Sequence, residues 1–175
     1  MTGTVSGLRI GVAELRRHPG DRVEVSRDVD LDGVQVSTAQ VPTGVTGHLD
    51  VVLESLSDGV TVSGTLEVPW EGPCRRCLDQ TRGIAALELR EVYSDSPVDE
   101  DLLALDGDVL DLGPVVHDAA VLALPLAPLC SDACPGPDPE HFPVVVEGDA
   151  PEPVDRRWSA LDELRFDPDP DDPLG

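Results

Sequence analysis

The placement of the cysteines restricts the fold more than any other feature of the chain. All four occur as two close pairs, Cys74-Arg75-Arg76-Cys77 and Cys130-Ser131-Asp132-Ala133-Cys134, with 52 residues between them. Two or three residues between thiolates let both sulfurs of a pair reach one tetrahedral ion, about 2.3 Å away. If the two pairs share an ion, only folds that bring two distant points of the chain together are allowed. The gap exceeds the roughly 15–20 residues of an ordinary zinc ribbon, so the ion would clamp one element to a distant one. A filled four-thiolate site could add on the order of 10 kcal/mol to folding. Zinc is the best match for this donor set, Cys74, Cys77, Cys130 and Cys134. Other readings stay open. Two disulfides fit the pairing but not an intracellular setting. Unliganded structural thiols are another option. A Cys74–Cys77 redox pair calls for a helix starting at the motif; Pro73 precedes it and no helical pattern begins at Cys77.

The hydrophobic pattern identifies the elements to be clamped. Val12 to Arg17 reads as a short helix or turn, stopped by His18-Pro19-Gly20. Val23, Val25, Val29 and Leu31 then alternate, with Arg27 interrupting, up to a turn at Asp32-Gly33, and Val34 and Val36 begin another short strand. Val45, Leu49, Val51 and Leu53 share one face, and Val60, Val62, Leu66, Val68 and Trp70 share one on the return. Ser57-Asp58-Gly59 between them predicts a hairpin, with glycine taking a positive φ. A further strand covers about 84–93. After an acidic loop over 94–111, Leu112, Val115, Val116, Ala119, Ala120 and Ala123 repeat at helical spacing. Asp108 or Asp111 is placed to cap this helix, Pro114 is tolerated in its first turn, and Pro125 and Pro128 end it before Cys130. Beyond Pro135 the composition predicts a disordered acidic tail, with a short helix near 155–165 carrying Trp158, Leu161 and Leu164. The expectation is an α+β protein. It has a mainly antiparallel sheet or partly open barrel with a late α-helix, one β-rich domain over 1–134, and a tail over 135–175. Aromatics are only 3% of the chain, so its core has to be built from Val, Leu, Ile and Ala.

Charge limits the partners. The net charge is −23 and every cation is an arginine. Residues 1–90 carry 13 acidic side chains against 9 arginines; residues 91–175 carry 22 against 3. The acidic half would repel a phosphate backbone and attract basic proteins, or simply keep the chain soluble. Arg75 and Arg76 lie between two candidate ligands, so a bound ion would present both together. Arg9, Arg16, Arg17 and Arg22 could extend that patch. A guanidinium fork suits phosphate, although such arginines can equally balance nearby acids. No apolar run approaches the 18–20 residues of a membrane span, and the N-terminus lacks the pattern of a secretory signal; a cytoplasmic location is expected. His18, His48, His117 and His141 are scattered without a nucleophile motif, and neither a Walker loop nor a dinucleotide fingerprint is present. Catalysis is not expected.

Gly59–Leu78 (GVTVSGTLEVPWEGPCRRCL) ends a strand in a small-residue turn followed by C-x-R-C-L, and so resembles the signature of the YceD family. Asp111–Cys130 (DLGPVVHDAAVLALPLAPLC) is similar to the family's second segment, and weaker agreement extends to Leu15–Gly20 and Asp155–Trp158. One departure is plain. Relatives often continue after the fourth cysteine with G-L-C-x-x-C-G, where this chain has Pro135-Gly136-Pro137. Either the four cysteines suffice, or His141 substitutes for one, or the site binds nothing. The resemblance implies a bacterial, non-enzymatic role in accumulation of large-subunit ribosomal RNA and assembly of the large ribosomal subunit. Two routes are compatible with it. One is contact with ribosomal RNA or a pre-ribosomal particle through Arg75, Arg76, Arg16 and Arg17. The other is an acidic, zinc-stabilised adaptor that holds a basic large-subunit ribosomal protein without touching RNA. Neither involves a membrane or DNA. A C-x-x-C thiol redox protein is the third reading.

Overall fold

Branched side chains at every second position lay down the sheet seen in the computed structural model, which describes residues 5, 7–97 and 102–142. The strands are β1 (Arg9–Gly11), β2 (Arg22–Asp30), β3 (Thr46–Ser55), β4 (Gly59–Pro73), β5 (Gln80–Ser94), β6 (Leu103–Ala104) and β7 (Val109–Asp111). A 3₁₀ turn over Leu15–Arg17 follows β1, and one helix, α1 (Gly113–Ala123), follows β7. Strands β2 to β5 pair antiparallel in chain order, and β6 adds parallel to the last two residues of β5. β1 and β7 form a separate two-stranded ribbon. The five-stranded sheet stays open rather than closing into a barrel.

One face of the sheet is the core. Val25, Val29, Leu49, Val51, Leu53, Val60, Val62, Leu66, Val68, Leu89 and Tyr93 are buried there. Leu8, Val12, Leu15, Leu31, Val34, Val41, Leu110 and Val116 cover them from the N-terminal segment, the β2–β3 connection, β7 and α1. Burying a leucine such as Leu66 contributes about 1.5–3 kcal/mol. The expected alternation therefore holds, except at its ends: Val23 and Val45 are exposed, because neither has a covering layer above it. The opposite face carries Glu24, Asp28, His48, Asp50, Thr65 and Glu67. His48 Nδ1 lies 2.8 Å from Asp28 and its Nε2 3.2 Å from Asp50.

The β3–β4 hairpin forms where alternation and Asp58-Gly59 placed it, with Ser55 opposite Val60. The reason for the glycine differs from the expected positive φ. Gly59 has an ordinary φ; a Cβ there would stand 1.9 Å from the Tyr93 carbonyl oxygen. Gly64 meets the same demand at mid-strand, where a Cβ would lie 2.0 Å from the Asp50 carbonyl oxygen.

Three other expectations are corrected. Val34 and Val36 start no strand; only an isolated bridge, Gln35 to Gln40, forms there. The acidic 94–111 stretch contains β6 and β7. Its apolar residues Leu105 and Leu110 are buried but too few for alternation to reveal them. Asp108 does not cap the helix, since its carboxylate pairs with Arg16 at 3.2 Å; Asp111 accepts the Gly113 N–H at 2.9 Å just ahead of α1. Two units divide the chain, Met1–Pro137 and Asp138–Gly175. Of the second, Asp138–Phe142 is described, and there His141 bonds to Asp138 through Nδ1 at 3.0 Å. The expected disordered tail beyond that point and the helix near 155–165 lie outside the described residues. Among the described residues, no helix is long and apolar enough to cross a membrane.

Candidate metal centre

β4 and β5 run past the end of β3: pairing of β3 with β4 stops at His48 opposite Glu67, whereas β4 and β5 stay paired to Pro73 opposite Gln80. The projecting tip is braced from the side. The Gln40 N–H donates to the Glu71 carbonyl at 2.9 Å, and the Glu71 N–H donates back at 2.8 Å. The first cysteine pair sits in the loop at this tip. The Leu78 N–H donates to the Cys74 carbonyl at 2.9 Å, closing one helical turn over Cys74–Leu78, and the Cys74 N–H donates to the Asp79 carbonyl at 2.8 Å. Leu78 ends that turn at φ 65, in the left-handed region, which reverses the chain into β5.

The second pair arrives from the end of α1. Helical backbone stops at Ala123, and Leu124 is extended ahead of Pro125. The incoming segment is fastened at two points: Thr38 donates its hydroxyl to the Pro125 carbonyl at 3.0 Å, and the Arg75 N–H donates to the Pro128 carbonyl at 2.9 Å. A turn then carries Cys134, whose N–H donates to the Ser131 carbonyl at 3.1 Å. Arg76 locks the two loops together, its Nη1 donating to the carbonyls of Asp132 at 2.9 Å and Cys134 at 3.3 Å.

The result is a single cluster. The Sγ atoms of Cys74, Cys77, Cys130 and Cys134 all lie within 4.8 Å of one another and could hold a metal ion. The closest approaches are between motifs, Cys74 to Cys134 and Cys77 to Cys130, each 3.8 Å. That is about the edge of a tetrahedron of sulfurs set 2.3 Å from a central ion. It is also far beyond the S–S bond of a disulfide, roughly 2.05 Å. Donor chemistry and spacing both fit a thiophilic cation. Cys74 and Cys134 are buried, Cys77 half-buried and Cys130 exposed, so the site opens to solvent on one side.

Without a cation the four thiols compete. The Cys77 N–H, helped by those of Arg76 and Cys130 and opposed by burial, brings Cys74 down to about 6. Cys77 is pushed up to about 12; the Asp79 N–H favours its thiolate, but burial and hydrogen bonding to the three other sulfurs outweigh it. Cys130 is also raised, first by its hydrogen bond with Cys134. The cluster thus favours the Cys74 thiolate and disfavours those of Cys77 and Cys130, an opposition that a cation among the sulfurs would relieve.

The arginines divide. Arg75 is exposed at the tip, and among the described residues its guanidinium makes no ion pair. Arg76 is half-buried and committed to the carbonyls already named. Sequence alone gave no signal for this division, because both side chains flank the same cysteines. Arg16 and Arg17 do not join them. The 3₁₀ turn that bears them lies by the β3–β4 turn, where Gly20 donates its N–H to the Ser55 carbonyl at 2.8 Å. Strand β4 spans 15 residues from there to Pro73, about 45 Å at roughly 3.3 Å per residue. Arg16 pairs with Asp95 and Asp108, Arg17 with Glu14, Arg22 with Glu54 and Arg9 with Asp106. The continuous arginine patch expected from sequence is therefore not formed.

Comparisons with known proteins agree on one kinship. The family described as large ribosomal RNA subunit accumulation protein YceD matches residues 62–165. The chain is 33% identical over 169 residues to the uncharacterized protein Rv2926c of Mycobacterium tuberculosis, covering 91% of this chain and 82% of that one. It is 30% identical over 171 residues to the uncharacterized protein ML1660 of Mycobacterium leprae, covering 91% and 78%. Identity to the uncharacterized protein YlbN of Bacillus subtilis is 24% over 165 residues, covering 87% and 94%. No solved structure matches the chain.

Proposed function

The chain belongs to the YceD family, the large ribosomal RNA subunit accumulation proteins, and from that premise we propose a non-catalytic cytoplasmic factor for large-subunit assembly whose four cysteines hold zinc and whose Arg75 meets ribosomal RNA. The observation that carries this reading is the convergence of thiols from two distant segments to within 4.8 Å. Zinc bound by four thiolates keeps no open position for a substrate, so its contribution is structural. The residues themselves do the positioning. Cys74 and Cys77 hold the ends of the turn, Arg76 ties it to the second loop, and Arg75 is left exposed on a backbone fixed by the Pro128 carbonyl. A rigidly presented guanidinium contacts phosphate or a base edge at little cost in conformational entropy. Arg16 and Arg17 have no part in this contact, because carboxylates already neutralise them at the far end of β4.

The second reading, an acidic adaptor for a basic ribosomal protein, is favoured by the carboxylates on the open face of the sheet and by the 22 acids of residues 91–175. One set of measurements separates the readings. Protein purified under reducing conditions should carry zinc, and Cys130→Ser should lose it. Binding to large-subunit ribosomal RNA should weaken with Arg75→Ala and lose part of its salt dependence. Metal-free protein with a reversible Cys74–Cys77 disulfide would favour the redox alternative. RNA affinity indifferent to Arg75, with tight capture of a basic ribosomal protein, would favour the adaptor.

A further inference from the structure

The two edges of the five-stranded sheet are unlike. The Leu105 N–H donates to the Ser94 carbonyl at 2.9 Å, so the backbone groups of Ser94 point away from β4. Backbone groups alternate sides along a strand, and β4–β5 pairing runs without a bulge from Ser94 to Gln80. The N–H and C=O groups of Arg82, Ile84, Ala86, Glu88, Arg90 and Val92 therefore all point to the open edge. Among the described residues, only β6 pairs along that edge, at its last two residues. Beside it lies a groove of about 390 Å³ between β5 and α1, floored by Leu87, Leu89, Leu103, Val115 and Ala119. Leu122, 78% exposed, stands on its α1 wall, and Glu88, Glu91 and Asp118 supply its charges. The opposite edge, β2, is the more densely charged, with Arg22, Glu24, Arg27, Asp28 and Asp30 in nine residues against Arg82, Glu88, Arg90 and Glu91 in the fifteen of β5, and charge keeps an edge from pairing.

We propose that the β5 edge and α1 form a docking groove for an extended, basic segment of a partner protein, which adds to the sheet as a strand. Backbone hydrogen bonds to the even-numbered residues of β5 supply part of the affinity, and alternate apolar side chains of the segment enter the groove. The occupant is basic because every charged side chain lining the groove is a carboxylate, on a chain of net charge −23. None of the residues lining the groove is a cysteine of the cluster or an arginine of the RNA reading, so the inference does not depend on the RNA contact of Arg75.

The test uses the full chain and a labelled peptide of alternating lysine and valine, followed by fluorescence anisotropy and amide hydrogen exchange. Binding is expected to slow exchange at Ile84, Ala86, Glu88 and Arg90. It should weaken roughly tenfold, about 1.4 kcal/mol, with the surface variant Leu122→Asp, and similarly with Asp118→Lys. Zinc content and RNA affinity should be unchanged in both variants, so failure here is separable from failure of the metal and RNA reading. N-methylation of the peptide at all lysines or at all valines should abolish binding in one register and spare it in the other. Equal binding of a glutamate-valine peptide, or tolerance of both methylated registers, overturns the proposal. So do even-numbered β5 amides already protected in the free chain, which would mean that this chain or a second copy fills the edge.

Discussion

Leu78 holds a φ of 65, a region where a leucine costs on the order of 1 kcal/mol relative to glycine. The hydrogen bonds that anchor its turn must outweigh that cost. Leu78→Gly should leave stability unchanged or raise it by up to about 1 kcal/mol, reduced by the greater chain entropy of glycine. The β-branched Leu78→Ile should lower it by more than about 1 kcal/mol. Denaturant melts of the metal-loaded protein measure both. On the open face of the sheet, the hydrogen bond from His48 to Asp28 holds the imidazolium above its ordinary 6.5; burial works against it, while Asp50 and Glu67 reinforce it. A folded-state value above the unfolded one makes this proton stabilising below about pH 6.5, with the contribution lost as pH rises through the folded value. Asp28→Asn should move the His48 titration, followed by NMR of the ring protons, back toward 6.5 and narrow that window.

The strands show how far sequence reading reaches. Leu49, Val51 and Leu53 against Val60, Val62, Leu66 and Val68 made the central hairpin legible, because both runs bury one face and expose the other. Strand β5 was foreseen only from residue 84; its first four residues belong to the projecting tip, where no core demands alternation. β6 and β7 are two and three residues long, too short for any period to show. The meeting of Cys74 and Cys77 with Cys130 and Cys134 followed from spacing and from the ends of the flanking elements. The role of Arg76 did not, since it depends on two carbonyls that only the folded loops bring within reach. Close packing of the strands sets a further prediction. Gly64→Ala would drive a Cβ to 2.0 Å from the Asp50 carbonyl oxygen, and it should cost about 3 kcal/mol or more in thermal unfolding because neither strand can retreat.

For the molecule as a whole, the cysteine cluster joins the far end of the β4–β5 hairpin to the end of α1, across the 52 residues between Cys77 and Cys130. Removing the ion with a chelator, or one ligand by Cys134→Ser, should lower the unfolding temperature sharply, toward loss of the whole metal contribution of on the order of 10 kcal/mol. Protection from hydrogen exchange should fall first at the tip and persist in the paired centre of the sheet. Zinc uptake should release protons at neutral pH, those of Cys77 and Cys130 among them, since these thiols stand above their ordinary values. Affinity should accordingly rise with pH, a slope that calorimetry in buffers of different ionisation enthalpy can read. The sheet can assemble without this latch, because its pairing is local and in chain order; on the zinc reading the ion completes a joining of tip to helix that the hydrogen bonds of Arg75 and Arg76 begin. On the proposed zinc reading, a cell starved of the metal would accumulate chains finished in their strands but weakly fastened at one end and open to proteases, so the amount of working protein would follow the supply of the metal more closely than the rate of synthesis.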